Sequence, residues 1–200
     1  MNDNVIDLAT KAMVRKVTKG EERMPEQAPW EEEPAIDDRE FKDREPTPAK
    51  MEDPETIKQF LLAGHARVTL VSTATGDRYT YQITSTPPNA DGRESPVSHF
   101  VAVLTGPDNT DGRSYSYVGH IFRFTDYTHA KPEKAKVPST ATSAKAWFWF
   151  WNAVVRGSKR PADLKLEVWH EGRCGACGRV LTVPESIARG LGPECYGRSS

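Results

Sequence analysis

Apolar positions in this chain recur at helical spacing in some stretches and alternate in others, with one long interruption. From Val5 to Val17, Ile6, Ala9, Met13 and Val17 fall on one face. Asn2, Asp3 or Asn4 would cap the start and Gly20 would stop it, which predicts a short, marginal helix. From Gly20 to Pro54 the pattern lapses. Prolines and the run Glu31, Glu32, Glu33 displace aliphatics, and only Trp30 and Phe41 stand out as isolated aromatics. Such a stretch is expected to be disordered, because it cannot bury enough apolar surface to offset the entropy of ordering.

Pattern returns at Pro54. Asp53 as cap, Pro54 at the first helical position and Gly64 as terminator predict a helix with Ile57, Phe60 and Leu61 facing a core. Alternation from Ala66 to Ser72, a turn at Thr75, Gly76 and Asp77, and alternation from Arg78 to Thr84 predict a hairpin. A polar loop is expected from Pro87 to Pro96. Phe100–Leu104 and Tyr115–Phe124 read as further strands joined by TGPDNTDGRS, a turn-rich loop. After a linker from Lys131 to Ser139, SAKAWFWFWNAVV reads as a helix with Trp147, Trp151 and Val154 on one face and Phe148 beside it. Leu164–Trp169 reads as a last strand. The expected fold is α+β: a small antiparallel sheet of four or five strands with packing helices, and a C-terminal zinc-finger-like module. The expected division is a largely disordered acidic tail over 1–54, a body over 55–165 and the module over 166–200.

Charge sharpens this division. Residues 1–55 carry 9 Lys+Arg against 16 Asp+Glu, residues 56–155 carry 10 against 7, and residues 156–200 carry 8 against 5. An acidic tail thus precedes a mildly basic body, which permits nucleic-acid binding without demanding it. No apolar run approaches the roughly 20 residues of a membrane helix, so no membrane partner is expected. The opening MNDNVIDLATK lacks the charged start and apolar stretch of a signal peptide. A cytoplasmic protein with reduced thiols is expected.

All three cysteines, Cys174, Cys177 and Cys195, lie in the last 27 residues. Two cysteines separated by two residues can turn both sulfurs onto one ion. Gly175 and Gly178 supply backbone freedom for the wrap. Pro184 to Ala188 can form a helical turn with Thr182 as cap, and Gly190 and Gly192 would then reverse the chain to present Cys195. Zinc takes four such ligands when its role is structural. His170, four residues before Cys174, is the expected fourth; the alternatives are a surface His170 with Glu194, water or a partner's group filling the site, or reduced structural thiols with no metal. One structural zinc ion is the expected cofactor. A catalytic zinc fits poorly. The metalloprotease pattern needs a second His where Cys174 stands, and the deaminase pattern needs His-x-Glu upstream of Pro-Cys-x-x-Cys.

The segment CGACGRVLTVPESIARGLGPECYG, from Cys174 onward, resembles the C-terminal signature of a family of uncharacterised bacteriophage and prophage proteins. Its fixed positions read Cys-x-x-Cys-Gly-Arg-x-Leu-Thr-x-Pro-x-Ser-Ile-x-x-Gly-x-Gly-Pro-x-Cys. FLLAGHARVTLVSTATGDRYTYQI and FVAVLTGPDN also look like longer members. The resemblance implies a phage or phage-derived origin, hence a host cytoplasm, and a metal-binding C-terminus; it implies no activity.

Two further features bear on partners. The run Trp147, Phe148, Trp149, Phe150, Trp151 points in all directions on a helix, so core packing takes some rings and others are left for a partner. Exposed rings, including Tyr79, Tyr81, Tyr115 and Tyr117, can stack on bases. Arg156, Lys159, Arg160, Arg173, Arg179, Arg189 and Arg198 are the candidate contacts to DNA or RNA phosphates. No nucleophile motif occurs, and no catalytic residue is expected. The scattered His65, His99, His120 and His129 are expected to be structural or exposed. Together these residues favour a non-enzymatic, nucleic-acid-binding accessory protein. An adaptor or inhibitor that binds a host protein comes second, and a metal-dependent enzyme last.

Overall fold

The computed structural model of the protein describes residues 45–86, 98–122, 126–131 and 133–198. The expected helix over Val5–Val17, the acidic tail before residue 45 and the loop from Pro87 to Pro96 lie outside the described residues.

Asp53 starts the first helix as its composition dictates. Its carboxylate accepts from the Thr56 backbone N–H and hydroxyl, each at 2.8 Å, and Pro54 costs nothing at the first position. Helix α1 (Pro54–Leu61) buries Ile57, Phe60 and Leu61. The chain forms seven strands: β1 (Ala49–Met51), β2 (His65–Ser72), β3 (Arg78–Ser85), β4 (Ser98–Leu104), β5 (Tyr115–Phe122), β6 (Asp126–His129) and β7 (Leu166–His170). They form one sheet in the order β1-β7-β2-β3-β4-β5-β6, and every pairing is antiparallel. Strands β1 and β6 exceed the four or five that the sequence predicts. Each has few residues and too little alternation to register.

Cross-strand register shows which side chains share a face. Val68 opposes Tyr81 and His170, Leu70 opposes Val168, and Ile83 opposes Val101. All seven are buried, so this is the core face. Helix α2 (Thr142–Phe150) lies over it and widens into a π-helical turn across Trp151–Arg156. Tyr81 joins helix and sheet: its hydroxyl donates to the Ser143 carbonyl at 2.7 Å and its ring centre lies 4.8 Å from that of Trp147. Trp147, Phe150, Trp151, Val154 and Val155 are buried, whereas Phe148 and Trp149 are 49% and 47% exposed. The aromatic run therefore splits, with Phe150 on the inner face and Phe148 turned outward against His129.

Among the described residues no helix covers the opposite face. It carries Arg67, Thr69 and Val71 of β2, Arg78, Thr80 and Gln82 of β3, Phe100 of β4, Tyr117 of β5 and Trp169 of β7, by the same register. One polar face and one apolar face is the usual condition of an antiparallel sheet packed on helices. Of the four tyrosines expected to form a stacking surface, Tyr81 points into the core and Tyr115 is buried. Tyr79 packs against the core cluster. Tyr115 and Tyr117 share the open face, but Arg67 lies over the Tyr115 ring, so Tyr117 is the one of the four left partly exposed there.

Candidate metal centre

Strand β7 delivers the chain to the cysteines. Arg173 bridges Val180, and Leu181 N–H donates to the Gly172 carbonyl at 2.9 Å, so residues 172–181 close a tight hairpin. At its tip Cys174 N–H donates to the Arg179 carbonyl (2.8 Å) and Gly178 N–H to the Cys174 carbonyl (2.9 Å). Gly178 has φ +74°, a left-handed turn that a Cβ would oppose. The chain then enters α3 (Pro184–Arg189), with Val183 rather than Thr182 at the cap position and no side-chain cap bond. Gly190 (φ +70°) ends it, and α4 (Pro193–Arg198) carries Cys195.

Phe60 of α1 fixes this module to the body. Its ring stands where a Cβ on Gly175 would lie, 2.7 Å from that position, and it blocks Gly190 likewise. The Phe60 ring also packs on His170, 5.4 Å between centres. Backbone bonds complete the joint: His65 N–H donates to the Gly175 carbonyl (2.6 Å) and Gly175 N–H to the Gly190 carbonyl (2.9 Å). A small cluster of Cys174, Leu181 and Leu191 forms the module's own core.

This folding brings the Cys174, Cys177 and Cys195 sulfurs within 4.8 Å of one another. Tetrahedral zinc with bonds of roughly 2.3 Å holds its sulfurs about 3.8 Å apart, so the donor set fits such an ion. No disulfide joins them. Gly192 N–H donates to the Cys174 sulfur at 3.4 Å. Burial works to raise the Cys174 thiol, but the backbone N–H groups of Gly192, Cys177 and Ala176, with the Cys177 thiol, outweigh it and hold it below its ordinary range. Cys195 is pushed up to about 12 by burial and by the hydrogen bonds and charge of Cys177 and Cys174. The Cys174 thiolate is thus favoured and that of Cys195 opposed. A cation would relieve that conflict, since coordination displaces thiol protons.

His170 does not join them. It is the third inward position of β7 after Leu166 and Val168, and it is 1% exposed. Its Nδ1 accepts from Gly172 N–H at 3.1 Å and its Nε2 lies 2.8 Å from the Ile187 carbonyl, to which it donates. With both ring nitrogens engaged, His170 ties β7 to α3 and stands apart from the sulfur cluster, contrary to the expectation for the fourth ligand. Glu194 lines the cavity of about 410 Å³ beside the three cysteines, with Arg179, Thr182 and Ser186.

The expected phosphate contacts are distributed. Arg156, Lys159 and Arg160 stand exposed beyond α2, and Arg179 is exposed in the module. Arg173 donates to the Gly178 carbonyl. Arg189 donates to the Glu185 carbonyl and lies over the Tyr196 ring at 4.5 Å. The backbone of Arg198 ends α4. A second concavity, absent from the sequence reading, lies on the open face of the sheet. It measures about 310 Å³ and is lined by Arg67, Thr69, Arg78, Thr80 and Trp169. Alternation in β2, β3 and β7 marks these residues as outward, but only the pairing of the three strands brings them together.

No curated protein and no solved structure matches the chain. Residues 166–200 match a family described as a family of unknown function (DUF6011). The match spans β7, the cysteine hairpin and both short helices, so the three-cysteine module with the strand that feeds it is similar to DUF6011.

Proposed function

We propose that this chain is a phage-type accessory protein that binds nucleic acid on the open face of its sheet, without enzymatic activity, and that one structural zinc ion holds its C-terminal module. Cys174, Cys177 and Cys195 would hold the ion. A carboxylate such as Glu194, or water, would complete the four ligands. Zinc supplies cross-linking here and no chemistry, because the hairpin and α3–α4 have too small a core to persist alone.

One observation carries the binding assignment. Among the described residues the sheet is covered on one face only, and its open face sets aromatic rings among cationic and hydroxyl side chains. Phe100 is 39% exposed and its ring centre lies 6.1 Å from that of Tyr117; Trp169, Arg67 and Arg78 lie across the same face. Rings that accept stacked bases beside cations that accept phosphates are the two parts a nucleic-acid surface requires. Binding of the zinc-loaded full chain to labelled single- and double-stranded DNA and RNA, measured from low to physiological salt, tests the proposal. Affinity should fall linearly on logarithmic axes as salt rises. Absence of binding to all four at low salt rejects it and leaves a protein partner as the better reading.

A further inference from the structure

The concavity on the open face has a polarity that narrows the ligand. We propose that it seats one unpaired nucleotide of a single-stranded nucleic acid, with the base against Trp169 and the backbone phosphate at Arg78. This rests on the nucleic-acid reading above and names the site and the form of the ligand.

The floor is the Thr69–Thr80 pair, whose hydroxyls lie 2.9 Å apart and offer hydrogen bonds to a sugar or base edge. One wall is the Trp169 indole. Its N–H donates to Glu167 at 3.1 Å, and Lys50 holds the same carboxylate at 3.3 Å. With its N–H pinned, the indole presents its ring as a fixed surface instead of a mobile one. A pre-set ring loses little entropy when a base stacks on it.

The two ends differ. At one, Arg67 pairs with Glu171 at 3.3 Å, donates to the Thr110 carbonyl and lies over the Tyr115 ring, 5.9 Å from its centre. That guanidinium is already neutralised. Its partners Glu171 and Thr110, with Asn109 of the loop, present acceptors and an amide suited to the edge of a base. At the other end Arg78 opposes Val71 and has no ion-pair partner among the described residues. A cation without a carboxylate at the rim of a cup is complementary to a phosphate.

Size and shape select an unpaired nucleotide. A volume of about 310 Å³ is at the small end of the roughly 300–1,000 Å³ of small-molecule clefts. It admits one base and sugar. Reading a duplex instead requires an element that projects into a groove, and a recess in a sheet face does not project.

The test uses zinc-loaded full chain and fluorescently labelled single-stranded oligonucleotides, followed by anisotropy. Trp169→Ala should weaken binding about tenfold or more, and Trp169→Phe, which keeps a ring, should recover most of it. Arg78→Ala should lower the slope of log affinity against log salt by about 0.7, the share of one single-strand phosphate. Arg78 is exposed, so this variant reports on the site even if Trp169→Ala fails to fold. If the protein binds strands and both Trp169→Phe and Arg78→Ala match the wild type while Trp169→Ala folds and does so too, the recess is not the site, though the broader proposal stands. If wild type binds no strand at low salt, both fall. A nucleoside monophosphate that competes as well as the strand, nucleotide for nucleotide, would identify a free nucleotide as the ligand and overturn the single-strand assignment.

Discussion

Single residues decide how the cysteine module is held, and each makes a separable claim. A sulfur such as that of Cys174, buried and approached by backbone N–H groups, is stabilised as a thiolate, and an ion bridging three sulfurs then depends on each of them. Cys174→Ser, Cys177→Ser and Cys195→Ser should each abolish stoichiometric zinc, measured by elemental analysis of the purified protein. His170→Ala should behave otherwise. It leaves the Ile187 carbonyl and Gly172 N–H unpaired in a buried site, a loss of about 1–3 kcal/mol for each unsatisfied group, yet zinc content should stay at that of the wild type. Zinc lost from a variant that remains folded would restore His170 to the ligand set. At the helix start, Asp53→Ala removes the cap and should cost about 1 kcal/mol in chemical denaturation.

At the scale of elements, the joint between α1 and the module is made by one ring meeting two glycines. Gly190→Ala would place a methyl group against the Phe60 ring and force a side chain into φ +70°, so a loss of about 1–3 kcal/mol is expected. Phe60→Ala removes the ring itself and should cost about 3–5 kcal/mol, with thermal unfolding in excess zinc as the measurement. Unchanged melting for both variants would mean that the module does not lean on α1. This joint also marks what the sequence could and could not reveal. Helix α1 was legible because Asp53, Pro54 and Gly64 punctuate it, and β2 and β3 were legible from strict alternation. The proximity of three cysteines was legible from spacing. The role of His170 was not, although Leu166, Val168 and His170 alternate inward, because proximity in sequence to Cys174 outweighed the strand's period. Strand β1 was hidden by the prolines around it, since three residues at a sheet edge need no long apolar pattern. The recess on the open face arises from β2, β3 and β7 together, so no local stretch of sequence announces it.

At the scale of the whole molecule, two buried imidazoles link stability to pH. Burial holds the pKa of His99 and of His170 below the ordinary value, against the opposing pull of the Leu62 and Ile187 carbonyls. The unfolded chain therefore takes up protons near pH 6.5 that the folded chain refuses. Stability should be fully present above that value and fall as pH drops below it, by at most about 1.4 kcal/mol per pH unit for each histidine. Urea midpoints at pH 7.5, 6.5 and 5.5 should fall in that order, and His170→Gln should flatten the decline; a midpoint that does not move with pH contradicts the linkage. Metal removal should act on one part of the molecule. A chelator should strip amide-exchange protection from residues 172–196 while β3, β4 and β5 keep theirs. The strand order carries a consequence in time. Strand β7 lies between β1 and β2, yet about a hundred residues separate it from β2 along the chain. At about 5–20 residues per second of synthesis, β2 waits roughly 5–20 s beside an empty lane before its neighbour exists. Until then an apolar strand edge stands open to any other chain. The sheet can close only once the strand that leads into the cysteines has been made.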